Sequence, residues 1–130
     1  LLKGNEMIFV FGSNLAGIHG AGAAKFALNE RGAIWGRGYG FQGTSFAIPT
    51  KDGRIQTLPP HRVVHYVRAF ITEAERCNEE VFQVTRIGCG LAGYTDAMIA
   101  PLFAKAPLNC LFDTAWQPIL GDEHMYWGTL

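Results

Sequence analysis

Apolar residues follow two rhythms along this chain, and each predicts a different kind of element. Met7-Ile8-Phe9-Val10-Phe11 is continuously apolar, as expected of a strand covered on both faces. Val81 to Ile87 reads as another buried strand, and Thr44 to Pro49 and Leu108 to Phe112 as two short ones. Helical spacing fills the gaps. Ala21 to Glu30 sets Ala21, Ala24, Ala27 and Leu28 on one stripe and stops at Gly32. Pro59 and Pro60 suit a first helical turn, after which Val63, Val64, Val67, Phe70, Ile71, Ala74 and Cys77 recur at helical spacing. Asp96 to Lys105 reads as a third helix. The order β-α-β-α-β-α-β implies a single α/β domain in three layers, α/β/α, around a mostly parallel mixed sheet. The tail from Ala115 is aromatic and turn-rich and matches no element.

Two glycine-rich loops stand where strands give way to helices. Gly12 to Gly22 follows the first strand, and Gly88-Cys89-Gly90-Leu91-Ala92-Gly93 follows the third. Glycine lets a backbone approach a ligand closely, and free N–H groups at a helix start favour an anion. Both loops fall at the carboxyl ends of strands, where open α/β sheets bind ligands. One phosphate-rich ligand between two backbone cradles is the expected occupant.

Composition narrows the class. The chain has 130 residues, 11 basic and 11 acidic, for zero net charge. That balance argues against a duplex-DNA binder, which needs a basic face. No apolar run is long enough for a bilayer, and no signal peptide opens the chain. Three cysteines at no metal-like spacing point to free thiols and a cytoplasmic setting. Leu1 to Glu6 read as a tag or linker remnant, leaving 7–130 as the domain.

Two familiar phosphate loops fail against these residues. A P-loop needs Gly-Lys-Ser/Thr, but Lys25 follows Ala24 and precedes Phe26. A dinucleotide fingerprint from Gly20-x-Gly22 meets Lys25 where glycine belongs. The pattern Asn14-x-x-Gly17-x-x-Gly20-Ala21-Gly22-x-Ala24 resembles the first ligand loop of macro domains, and Arg86-Ile87-Gly88-Cys89-Gly90-Leu91 resembles their diphosphate loop. Pro49-Thr50-Lys51 is similar to a segment of one branch, that of the terminal ADP-ribose protein glycohydrolase and the antitoxin that reverses DNA ADP-ribosylation. The resemblance spans about Ile8 to Lys105. It implies a macro-like domain that binds ADP-ribose or a related nucleotide, without metal or cofactor, and whose partners include ADP-ribosylated protein or nucleic acid.

The resemblance also implies roles, each set against a plainer alternative. Asn14 would hydrogen-bond the distal ribose, or else stabilise a turn. Gly20, Ala21 and Gly22 would offer N–H groups to phosphate, or pack a helix on the sheet. Gly88, Cys89, Gly90, Leu91 and Ala92 would form the opposing cradle. Lys51 would attack the anomeric carbon, while Lys51-Asp52-Gly53-Arg54 also reads as a solvated turn. The branch carries an acid where this chain has Ala92; Asp96 would supply it from four residues on, or cap the last helix. Cys89 with a partner in His19 is a further nucleophile candidate, against a small side chain filling a loop. His61 and His65 share a helix face but lack a third metal ligand. Trp35, Tyr39 and Phe41, in a glycine-rich stretch with Arg37, would stack on a base, line the ligand site or flank an edge strand. Arg86 would neutralise phosphate or pair with an acid. Three functions follow: an ADP-ribosyl glycohydrolase, a non-catalytic ADP-ribose reader, and an RNA-binding module.

Overall fold

The computed structural model describes residues 7–129, so the expectation for Leu1 to Glu6 lies outside the described residues. Strand β1 (Ile8–Asn14) lies at the centre of a six-stranded sheet, parallel to its neighbours β3 (Ser45–Lys51) and β4 (Phe82–Val84). With β2 (Gly40–Gln42), β5 (Cys110–Asp113) and β6 (Met125–Gly128), the sheet order is β2-β3-β1-β4-β5-β6. Only the β2–β3 pair is antiparallel, so the sheet is mixed and mostly parallel, as expected of an α/β fold.

Alternation along the central strands sorts residues onto two cores. Phe9, Phe11 and Ala47 face helix α1 (Gly22–Glu30), whose Ala24 and Ala27 are buried against them. Val10, Phe46, Ile48, Phe82, Val84 and Phe112 face the opposite way, onto α2 (Pro60–Arg76) and the segment after the second glycine loop. The helix predicted after Pro59 is present, and Val63, Val67, Phe70 and Ala74 are its buried stripe. Each large side chain so buried contributes roughly 1.5–3 kcal/mol.

Several boundaries differ from expectation. β1 runs on to Asn14, so Gly12 and Ser13 belong to the strand and the first loop starts at Leu15. β3 continues through Pro49 to Lys51, which a proline permits because β2 pairs only with Ser45 to Ala47 and leaves that edge open. β4 stops at Val84, three residues short. The helix predicted from Asp96 to Lys105 divides into α3 (Asp96–Ile99) and a 3-10 turn (Ala100–Phe103), because Pro101 has no N–H to continue the α-helical ladder. The tail supplies a 3-10 turn (Thr114–Trp116), helix α4 (Gln117–Leu120) and β6. Among the described residues no helix is long and apolar enough to cross a membrane.

Candidate functional site

The carboxyl ends of β1, β3 and β5, with the residues that follow β4, open into one cavity of about 450 Å3. Asn14, Lys51, Thr85 and Asp113 lie at those four places, and all line it. The two glycine loops close the sides: Gly20 to Ala24 on one, Gly88 to Ala92 on the other. The loops are brought close because β1 and β4 are adjacent; a Cβ on Gly12 would lie 3.4 Å from the Gly88 nitrogen. Every residue assigned to ligand binding from the sequence is therefore in one place.

The chemistry of this cavity is mainly that of its backbone. The N–H groups of Gly20, Ala21, Gly22, Ala23 and Ala24 have no acceptor among the described residues. They lead into α1, which has no side-chain cap and no acid in its first turn. Across the cavity, the N–H groups of Gly90, Leu91 and Ala92 are likewise without acceptors. Unpaired N–H groups arrayed along a loop and a helix start carry partial positive charge.

Side chains add little, because most are already committed. Ser13 Oγ donates to Asn14 O, Thr50 Oγ1 to Ser13 O, and Thr85 Oγ1 to Val10 O. Asn14 Nδ2 donates to Ile18 O at 2.8 Å, and its Oδ1 accepts from Ile18 N at 3.0 Å. Its amide thus closes the first loop, which is the turn-stabilising role. Asp113 is 1% exposed; one oxygen accepts from Ala115 N and the other from the Thr129 hydroxyl. Lys51 differs: it is half-buried, and among the described residues its ammonium has no hydrogen-bond or ion-pair partner.

Asp96 is not placed to act as the missing acid. It does not line the cavity, and Arg86 grips it with Nε and Nη2 at 2.8 and 2.6 Å. Those bonds, with a third from Trp116, hold the Asp96 carboxyl down to about 2. Nor does it cap the helix: Thr95 does, accepting from Met98 N. Position 92, where the resemblance calls for an acid, is alanine and lines the cavity.

The Cys89–His19 pair is also absent. Burial, reinforced by the Asp96 charge, pushes the Cys89 thiol up to about 12, opposite to the activation expected near a helix start. Helix α3 follows seven residues later and is only four residues long, so its dipole does not reach the sulfur as a long helix would. His19 is fully buried, edge-on to Phe11 with ring centres 5.3 Å apart, and its Nε2 meets Arg37 O at 3.1 Å. It does not line the cavity. His61 and His65 are exposed on α2, and no group of three metal-ligating side chains occurs among the described residues.

The aromatic-glycine stretch supplies the edge strand β2 itself and does not line the cavity. Tyr39 and Phe41 pack edge-on to Phe46, and Gln42 ties the stretch together by accepting from Ile34 N and donating to Arg37 O and Gly40 O. Its glycines meet the first glycine loop backbone to backbone. A Cβ on Gly17 would come within 2.3 Å of Arg37 N, and one on Gly38 within 2.2 Å of Asn14 O. This stretch is the buttress of the first loop.

Lining residues given no role from the sequence include Ile18, Ile55, Thr85 and Asp113. Asp113 was within reach of the rule about strand carboxyl ends, since it directly follows Leu108 to Phe112. Ile55 had no signal, because its place depends on a left-handed backbone (φ 63°) that costs a β-branched residue roughly 1–2 kcal/mol. The chain matches no protein-family model, and comparison with curated proteins and with solved structures finds no match to either.

Proposed function

We propose that this domain binds ADP-ribose or a closely related nucleoside diphosphate in the cavity between its glycine loops. The observation that carries the reading is the pair of facing arcs of unaccepted N–H groups, Gly20 to Ala24 and Gly90 to Ala92, on the walls of one cavity. Two such arcs suit two phosphates, and the half-buried Lys51 adds a full positive charge. A volume of about 450 Å3 falls within the usual range for small-molecule sites. The family resemblance of the two loops and of Pro49-Thr50-Lys51 supports the choice of ADP-ribose among diphosphates.

Binding without turnover is the reading the side chains favour. Hydrolysis at an anomeric carbon calls for a proton-transfer group beside the nucleophile. Lys51 would be the nucleophile, but Ala92 carries no proton, Asp96 is held by Arg86, and both Asp113 oxygens already accept. Calorimetry with ADP-ribose, ADP and AMP tests the binding reading, which requires ADP-ribose and ADP to bind well above AMP. Gly90→Glu should abolish it without disturbing the fold, because a Cβ at Gly90 meets nothing within 4 Å. Incubation with ADP-ribosylated protein and ADP-ribosylated DNA tests the absence of turnover; release of ADP-ribose from either would establish the glycohydrolase instead.

A further inference from the structure

The turn after β3 holds Ile55 in a conformation that its side chain resists. Its φ is 63°, and it is the one non-glycine residue of positive φ among those described. A β-branched side chain is crowded there. The same turn contains Gly53, which could adopt that conformation freely but does not. The strain has identifiable bracing. Asp52 Oδ1 accepts from Arg54 N at 2.8 Å and from Gln56 N at 3.0 Å, on either side of Ile55. Asp52 N donates to Gln56 O at 2.7 Å and Ile55 N to Asp52 O at 3.1 Å, closing the reversal through its backbone as well. Lys51 pairs with Thr57 across the turn, and Thr57 Oγ1 donates to Ala92 O in the second glycine loop.

What the strain achieves is placement. Ile55 lines the cavity, as Lys51 does, and remains 40% exposed. Ile18 and Leu91, one from each glycine loop, line it too and are 41% and 73% exposed. An aliphatic rim thus stands beside walls of unaccepted N–H groups. Those N–H groups and the Lys51 ammonium suit phosphate oxygens, whereas an isoleucine gains nothing from an anion. It gains only by covering carbon, which a diphosphate offers when a sugar or nucleoside is esterified to it. A strained residue braced at the mouth of a cavity points to function.

We infer that Ile55 contacts the carbon skeleton of an esterified diphosphate, and that Asp52 is the positioning residue that holds it there. This rests on the diphosphate reading above and says how the site favours such an ester over inorganic pyrophosphate. Calorimetry with ADP-ribose and with pyrophosphate tests it, with thermal melts alongside. Ile55→Gly removes the side chain and the strain together. It should melt no lower than the wild type, bind ADP-ribose about fivefold more weakly, and bind pyrophosphate within about twofold of the wild type. Asp52→Ala frees the turn and should weaken ADP-ribose to a similar extent without weakening pyrophosphate. Asp52→Asn keeps the Oδ1 acceptor and should restore ADP-ribose binding. Equal weakening of both ligands in Ile55→Gly would mean that the turn acts through the phosphate walls, and a clearly lower melting temperature that Ile55 serves the fold. Either result overturns the inference and leaves the diphosphate site in place. So does unchanged ADP-ribose affinity in Ile55→Gly, or an Asp52→Asn variant that binds as weakly as Asp52→Ala. If neither ligand binds the wild type, the diphosphate reading falls and this inference with it.

Discussion

The carboxylate of Asp96 accepts the indole N–H of Trp116 at 2.7 Å, joining the helix after the second glycine loop to the tail of the chain. Trp116 is fully buried, so its N–H has no water to turn to. The same oxygen takes Arg86 Nε from the end of the third parallel segment. One carboxylate therefore fixes three pieces of chain beneath the candidate site, which is why it is not free to serve in it.

A pH dependence follows. The folded Asp96 carboxyl sits at about 2, below its ordinary 3.8, so its charge stabilises the fold above about pH 4 and the contribution is lost as pH falls toward 2. Arg86 is 45% exposed and water screens the pair, so the charge contributes about 1 kcal/mol rather than the full shift. Asp96→Asn, which keeps an acceptor for Trp116, should lose about that much at pH 7. The gap between variant and wild type in urea unfolding should close between pH 4 and pH 2. A gap that persists at pH 2 would place its origin in packing instead of charge.

Backbone contact between the first glycine loop and its buttress makes Gly17 a sharper test of the fold. Its φ is 67°, and a Cβ there would lie 2.3 Å from Arg37 N and from Gly36 C. Gly17→Ala should destabilise by about 3 kcal/mol or more, combining left-handed strain with overpacking. Gly22 has a similar φ of 57° but nothing within 4 Å, so Gly22→Ala should cost only about 1–2 kcal/mol. Thermal melts of the two variants separate clash from strain; equal losses would mean that the buttress yields easily.

The parts of this molecule legible in the sequence are those set by local periodicity and by strand ends. Val63, Val67, Phe70 and Ala74 announce α2 because a helix must bury one stripe. Asn14, Lys51 and the residues from Gly88 onward converge because parallel strands put their carboxyl ends together, whatever the ligand. Long-range pairing was not legible. Asp96 has Arg86 and Trp116 as partners, 10 and 20 residues away, and no spacing rule links them. β6 was hidden because Met125 to Gly128 borrows its stability from β5, with Trp127 Nε1 bonded to Val84 O, rather than from any alternation of its own. Gly36 to Gly40 signalled irregular backbone, but not that its purpose was to meet Gly17.

Lys51 separates a binding cation from a catalytic nucleophile. It ends β3, paired in register with Asn14, and its backbone is fixed by Leu15 N donating to Lys51 O at 2.9 Å. Its ammonium holds nothing together, so Lys51→Ala should leave the melting temperature unchanged. Loss of one charge beside a diphosphate should weaken ADP-ribose by about tenfold, and Lys51→Arg should restore most of it. Raising salt should weaken the wild type more than Lys51→Ala, because the removed term is the one that salt screens. Calorimetry at low and high salt on the three proteins reads both effects. Unchanged affinity and unchanged salt slope in Lys51→Ala would show that the backbone N–H arcs alone hold the phosphates, and that the lysine stands in the cavity for some other purpose.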